Sequence, residues 1–272
     1  MPEGHVIHRL AVRLDEQFAG RQVGVSSPQG RFAAAAELLD GTRLVGSDAV
    51  GKHLLIDFED ARTVWVHLGL IGRFSFGPDA APTKPATLRL RISAAGRAAD
   101  LRGPQWCRLI DPVERAEVIE SAGPDPLRPD ADPQRAWRKL QATRRPIGVL
   151  LMDQAVFAGV GNIFRAEVLF RHGIDPALPA NQLPRAAFEA VWVDLVRLMS
   201  YAVATGRIDT VHPEHTPTAM GRPARVDAHG GEVYVYRRRG EPCLVCGTEV
   251  AGQAMAGRNL YWCPTCQPSA AC

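Results

Sequence analysis

The chain has 272 residues, 46% hydrophobic and 22% charged, with 32 Lys and Arg against 29 Asp and Glu for a net charge of +3. That length suits two domains, and the composition is that of a soluble globular protein. No apolar run reaches the roughly 18 residues a membrane helix needs. Glu3 and His5 stand where a signal peptide would carry its basic and apolar regions, so a cytoplasmic protein is expected.

The mild positive excess permits a nucleic-acid partner without demanding one. Three of the cations are lysines (Lys52, Lys84, Lys139) and the rest are arginines. Arginine suits bidentate phosphate contacts, although a genome rich in G and C produces the same bias.

The opening "PEGHVIHRLAVRLDEQFAG" places Val6, Ile7, Leu10, Ala11, Leu14 and Phe18 at helical spacing, with Gly20 as the stop. Pro2 and Glu3 therefore sit at or just before a helix N-terminus. From about residue 22 to 110, short runs rich in β-formers follow ("RQVGVSS", "HLLIDF", "TVWVHL", "RFSF", "TLRLRIS", "CRLI"), separated by Gly, Pro and Asp. Leu88, Leu90 and Ile92 alternate with Arg89 and Arg91, the pattern of a strand with one wet face. Short strands without long helices between them predict an antiparallel sandwich or barrel.

"ESAGPDPLRPDADPQ" reads as a linker. Beyond it the pattern is helical. "RPIGVLLMDQ" and "NIFRAEVLFRHG" are two short helices joined by "AVFAGVG", with Asn162 as N-cap and Gly173 as stop. A longer helix aligns Phe188, Val191, Trp192, Leu195, Leu198, Met199 and Ala202 on one face before Gly206. Residues 208–232 form a polar loop without periodicity, expected to be mobile, ahead of "EVYVYRRRG". The expected organisation is an α+β chain of an N-terminal helix plus antiparallel β-sandwich (1–120), a helical domain (121–232) and a cysteine-bearing hairpin (233–272).

Six cysteines occur, of which Cys107 and Cys272 stand alone. The other four form Cys243-x2-Cys246-x16-Cys263-x2-Cys266, the spacing of a closed four-cysteine zinc site that stiffens a hairpin too small for its own core. A redox dithiol pair or paired disulfides is the alternative. Arg258 falls near the tip of that hairpin and, beside Arg237, Arg238 and Arg239, reads as a phosphate probe or as a solubilising surface charge.

"AGVGNIF" (158–164) leaves backbone N–H groups unobstructed at Gly159 and Gly161 and opens a helix at Asn162. That suits an anion, or it is an ordinary helix corner. In "GKHLL", Lys52 is a site residue or an edge charge. In "HLGLIGRF", Leu70 is exposed at a turn or folded back into the core. Finally, removal of Met1 would leave Pro2 with a free secondary amine able to attack a carbonyl carbon, unless the terminus is merely frayed.

Together these motifs, in this order over nearly the whole chain, resemble the formamidopyrimidine-DNA glycosylase/endonuclease VIII family. The carriers are Pro-Glu after Met1, "GKHL", "HLG", "LLMDQAVFAGVGNIFRAEVLF", and the four-cysteine finger with "GRNLYWCPTCQ". The opening "MPEG" leans toward the endonuclease VIII branch.

The resemblance implies a helix plus β-sandwich, a helix–two-turns–helix domain and a zinc finger holding one structural Zn2+, with DNA in the cleft between domains. It implies a bifunctional glycosylase and abasic-site β,δ-lyase of base-excision repair. In that scheme Pro2 is the nucleophile that forms an iminium, and Glu3 is the acid at the sugar ring oxygen. Lys52 and Arg258 hold flanking phosphates and assist catalysis. His67, Gly161 and Asn162 bind the DNA backbone, Leu70 fills the hole left by the flipped base, and Gln105 or Trp106 is a second wedge.

Oxidised pyrimidines are the expected lesions, with oxidised purines the alternative, in duplex or partly single-stranded DNA. A monomer acting in the bacterial cytoplasm on the nucleoid, with no membrane partner, is expected. His5 and Val6 replace a proline and a glutamate usual in the family, which bears on lesion preference. The loop 208–232 could cap the base. A zinc-finger DNA-binding protein without catalysis is the competing reading.

Overall fold

The computed structural model describes residues 2–80, 84–226 and 231–269. Two compact units divide the chain, Met1–Ser121 and Ala122–Cys272. Among the described residues no helix is long and apolar enough to cross a membrane.

The first unit opens with helix α1 (Gly4–Phe18), whose buried face, Ile7, Leu10, Ala11, Leu14 and Phe18, is the one the sequence spacing predicts. Eight strands follow: β1 (Gly24–Ser26), β2 (Leu44–Val50), β3 (His53–Phe58), β4 (Arg62–His67), β5 (Arg73–Pro78), β6 (Leu88–Ala94), β7 (Arg97–Arg102) and β8 (Trp106–Ile110). They form two four-stranded sheets, β1-β6-β7-β5 and β2-β3-β4-β8, with every pair antiparallel. The inner faces supply Leu90, Ile92, Ala99 and Leu101 from one sheet and Leu54, Ile56, Val64 and Val66 from the other, in one core with α1.

Two helices of this unit were not predicted: α2 (Ala33–Leu39), a run of alanines ending in two leucines, and α3 (Pro112–Ser121). Helix α3 lies on the outer face of the second sheet. Its Val118 packs on Leu55 and Ile110, and its Arg115 grips Asp57 through two bonds of 3.0 and 2.9 Å.

The Pro- and Asp-rich stretch is not a free linker. Its first residues end the first unit, and residues 122–126 are buried in the second. There Gly123 N donates to Gln154 O at 2.9 Å, and a Cβ on Gly123 would lie 2.6 Å from the Val156 carbonyl carbon. Asp132 then caps α4 (Pro133–Gln141), accepting from Gln134 N.

The expected helix "RPIGVLLMDQ" shortens to α5 (Ile147–Leu150). Met152 and Asp153 bond three residues back, tightening the turn, and the Asp153 carboxylate takes the Ala155 N–H that a longer helix would use. Helix α6 (Asn162–Arg171) is buried from Asn162 to Phe170, and α7 (Arg185–Thr205) buries the predicted apolar face and stops at left-handed Gly206. Asn162 is the first helical residue rather than the cap, which is the extended Gly161. The chain ends in the hairpin β9 (Ala251–Met255) and β10 (Arg258–Trp262).

The described part of loop 208–232 is more ordered than its sequence suggests. It contains the short helix α8 (Pro217–Met220), and Thr210 N donates to Glu232 O at 2.8 Å where its two stems meet. Residues 227–230 and Cys272 lie outside the described residues.

Candidate active site and metal centre

In the first unit Glu3 is the residue before α1, extended (φ −112°, ψ 174°), with its carbonyl accepting from Val6 N at 2.9 Å. Its side chain is buried at 1% exposure, beside half-buried Pro2. A carboxyl group here lies at the positive end of the helix dipole, which favours an anion.

Lys52 sits in the two-residue turn joining β2 to β3, where Gly51 has φ +60°, a conformation glycine adopts without strain. Strand pairing then sets His53 opposite His67 and His67 opposite Trp106, one cross-strand row on the outer face. Trp65 Nε1 donates to His53 Nδ1 at 3.0 Å, and Trp106 stacks on His67 with centroids 4.5 Å apart. Burial, then His67 and Lys52, push the His53 imidazole down to about 4. Burial also lowers His67, with a Gln105 hydrogen bond opposing it and Lys52 reinforcing it. Both rings are neutral at pH 7, so Lys52 supplies the positive charge of this corner.

Leu70 is 61% exposed and its neighbour Ile71 81%, while Leu68 takes the core position; Leu70 therefore does not fold inward. The turn is compact: a Cβ on Gly72 would lie 2.3 Å from Leu68 O, and one on left-handed Gly69 would lie 2.9 Å from Gln105 Cβ. Gln105 is thus seated over the turn that carries Leu70, with its N–H on His67 O at 2.9 Å. Trp106 belongs to β8 and the ring stack. The structure separates the two wedge candidates, placing Gln105 beside Leu70 and Trp106 in the sheet.

In the second unit the "AGVGN" turn is shaped by Gln154, which accepts from Gly159 N and donates to Val160 O, both at 3.0 Å. Gly159 has φ +84°. Asn162 Nδ2 donates to Asn259 O at 2.9 Å, while its Oδ1 accepts from Arg165 Nη2. Arg165 is completely buried and also donates to Asn259 O (3.2 Å) and Gly148 O (3.3 Å). The "AGVGN" turn is therefore tied to the hairpin residue next to Arg258, and Arg258 is exposed just past the tip formed by Ala256 and Gly257.

Sequence reading missed Arg165 and Gln154. A lone cation inside the apolar run "NIFRAEVLF" was the available signal for the first. Within the run Arg237–Arg239, Arg238 is buried on Glu241, Tyr234 O and Pro242 O, while Arg237 and Arg239 are exposed and Arg239 covers Gly252.

The four cysteine sulfurs lie within 4.8 Å of one another, with Cys243–Cys266 at 3.9 Å and Cys246–Cys263 at 3.4 Å. Tetrahedral Zn–S bonds of about 2.3 Å place sulfurs about 3.8 Å apart, so the donor set fits a four-thiolate zinc ion. Gln267 fixes this knuckle to the turn that follows α6, accepting from Cys263 N and donating to Ile174 O.

Three family descriptions match along the chain: the formamidopyrimidine-DNA glycosylase N-terminal domain over residues 1–107, its H2TH domain over 122–213, and a zinc finger found in FPG and IleRS over 240–268. Endonuclease 8 1 of Mycobacterium tuberculosis is 48% identical, covering 98% of this chain and 100% of its own. Probable endonuclease 8 2 of Streptomyces coelicolor is 31% identical over 98% and 94% of the two chains. The formamidopyrimidine-DNA glycosylase of Parasynechococcus marenigrum is 34% identical over 88% and 86%. The crystal structure of Lactococcus lactis Fpg in complex with abasic-site DNA shares the fold, with a TM-score of 0.80 at 23% identity over 98% of this chain and 100% of that one. With sheets, helical unit and cysteine finger all matched, the chain belongs to the formamidopyrimidine-DNA glycosylase and endonuclease 8 family of DNA glycosylases.

Proposed function

We propose that this enzyme removes oxidised pyrimidines from DNA and then cleaves the abasic strand by β,δ-elimination, with Pro2 as the nucleophile. The observation that carries the reading is the buried carboxyl of Glu3 directly beside Pro2 at the start of α1. Once Met1 is removed, the Pro2 nitrogen attacks C1′ of the damaged nucleotide. The N–C1′ bond forms, the glycosidic bond breaks and the base leaves with its electron pair, taking up the proton that the prolyl nitrogen gives up. Glu3 delivers a proton to the ring oxygen, the ring opens and a cationic iminium results. The iminium acidifies C2′–H; loss of that proton expels the 3′ phosphate, and a second elimination expels the 5′ phosphate.

Lys52, His67, Gly161, Asn162 and Arg258 serve as backbone contacts around the lesion. Leu70, with Gln105 beside it, fills the space of the flipped base. One zinc ion holds the finger and takes no part in chemistry, since all four positions are protein thiolates. The pyrimidine preference follows the likeness to Endonuclease 8 1 of Mycobacterium tuberculosis, at 48% identity against 34% for the formamidopyrimidine-DNA glycosylase of Parasynechococcus marenigrum. The enzyme works as a monomer on damaged duplex or partly single-stranded DNA in the bacterial cytoplasm.

The test is borohydride trapping of Met1-free, zinc-loaded protein on abasic DNA, followed by peptide mass spectrometry. A covalent adduct on Pro2 is expected. Its absence from protein that still binds the DNA would overturn the mechanism. Faster release of 8-oxoguanine than of 5-hydroxyuracil would overturn the lesion class.

A further inference from the structure

The outer face of the second sheet carries one hydrogen bond whose direction is fixed by chemistry. Trp65 Nε1 lies 3.0 Å from His53 Nδ1, and an indole nitrogen only donates. His53 Nδ1 is therefore the acceptor and carries no proton, which leaves the proton of the neutral ring on Nε2. Among the described residues Nε2 has no hydrogen-bond partner, and it is open to solvent. The strand end that follows Lys52 thus presents a neutral N–H donor whose tautomer is set by a neighbour.

The indole that sets this tautomer is itself held. Trp65 pairs with Leu55 across β3 and β4, the next pair on this face after His53 and His67, within the diagonal reach of a large ring. Trp106 packs edge-on against it with centroids 5.2 Å apart, the Arg108 guanidinium lies 6.0 Å from its ring centre, and the Val118 cluster of α3 packs on it. The charged and titratable groups around His53 are Lys52 in the turn, His67 on β4 and, beyond Trp65, Arg108 on β8; its partner on β2 is Val50. Burial, then His67 and Lys52, disfavour a charge on the His53 ring. Protonation of Nδ1 would also set one N–H against another. Packing accounts for the indole N–H and its acceptor. It does not account for a donor held open in one tautomer beside a lysine, an arrangement that suits a phosphate oxygen.

We propose that Trp65 is a positioning residue of the DNA site, and that through it His53 donates from Nε2 to a phosphate oxygen of the damaged strand beside Lys52. The assignment rests on the DNA-glycosylase reading above, in which Lys52 holds a flanking phosphate. Trp65 itself touches no DNA. It keeps the donor neutral and in place, so that the contact does not come and go with pH over the range where a free histidine titrates. The corner then grips phosphate with one permanent charge and one neutral donor, and no second cation is forced against Lys52.

The test uses the full-length, zinc-loaded protein, its Trp65→Phe and His53→Phe variants, and the double variant. In the wild type, nitrogen NMR of labelled histidine, with the His53 signal assigned by its loss in His53→Phe, should show the Nε2–H tautomer, unprotonated down to about pH 5. An Nδ1–H tautomer, or a midpoint near the ordinary value of about 6.5, would overturn the proposal without recourse to a variant. Trp65→Phe keeps an aromatic ring and removes the indole donor. Its binding to a duplex carrying a stable abasic analogue, at constant salt, should weaken about two- to tenfold near pH 7.5, the worth of one neutral hydrogen bond. Binding should recover toward about pH 5.5, where the released His53 takes up a proton against the phosphate, and wild-type affinity should change less over the same range. In the His53→Phe background the Trp65 substitution should cost nothing further. Equal pH dependence in wild type and Trp65→Phe, or additive losses in the double variant, would overturn the role. The expected tautomer and pH behaviour without a borohydride adduct on abasic DNA sinks the iminium mechanism and leaves the positioning role standing.

Discussion

Glu3 and His53 show what single positions contribute. A buried carboxyl adjacent to Pro2, the proposed nucleophile, is placed to transfer a proton, and general acid catalysis is worth about 10²- to 10⁴-fold. Glu3→Gln keeps the shape and removes the proton. Single-turnover cleavage of abasic DNA should fall by about 100-fold or more, with binding to an abasic analogue retained; an unimpaired variant would assign the acid elsewhere.

His53 titrates the fold rather than the reaction. Its folded pKa is about 4 against the ordinary 6.5, so the unfolded chain binds a proton between those values that the folded chain refuses. Stability from this source is complete above the unfolded pKa and drains away as the pH falls toward the folded one. Acidification from pH 7 to 4.5 should remove about 2 kcal/mol, and His67, shifted the same way, adds to the loss. Urea unfolding at the two pH values measures it. In His53→Phe the pH dependence should shrink by that amount, and an unaltered dependence would mean that the ring is not held neutral.

At the scale of elements, the wholly buried Glu167 on α6 organises the approach to the finger. Its carboxylate accepts from Tyr234 N, Val235 N and Tyr236 N at 2.7, 2.9 and 2.8 Å, and from Thr210 Oγ1 at 2.5 Å, so it clamps both stems of loop 208–232. Glu167→Ala strands three buried N–H groups, each worth about 1–3 kcal/mol. Hydrogen exchange at residues 234–236 should accelerate strongly, and protease cutting within the loop should increase. If protection there survives the substitution, the clamp is not what orders the stems.

This is also where sequence reading stopped. Helix α1, strand β6 and helix α7 were legible because their apolar periods are regular. The Cys-x2-Cys knuckles were legible because tetrahedral coordination dictates the spacing. The ordered loop was not, because its bonds run to a carboxylate some 40 to 70 residues earlier in the chain, and "NIFRAEVLF" reads as an apolar helix rather than as a hub. The short α5 was likewise hidden, since Asp153 ends it through a side-chain bond that no periodicity reports. Leu70 was undecidable until the turn at Gly69 and Gly72 set that Leu68, not Leu70, entered the core.

For the whole molecule, the two large cores are separate: one joins α1 to the two sheets, the other joins α4 through α7. The finger has no comparable core of its own. It leans on α6 through a small cluster of Ala166, Phe170, Tyr234, Val235 and Val250 with Cys243 and Cys263. Small hairpins of this kind depend on their metal for folding. Chelation should therefore act selectively. The hairpin carries Asn259, whose carbonyl holds both Asn162 and Arg165, so releasing the metal should loosen the "AGVGN" turn as well as displace Arg258. Affinity for abasic DNA should collapse while the first unit stays folded. Tryptophan fluorescence can separate the two, because Trp65 and Trp106 report on the first unit and Trp262 lies in β10. With single-tryptophan variants, a thiol-competitive chelator should shift the Trp262 signal and abolish binding while the Trp65 signal keeps its unfolding midpoint. Retained affinity after complete metal loss would mean that the hairpin holds its position by packing alone, and that the tie between Asn259 and the "AGVGN" turn does not need the metal.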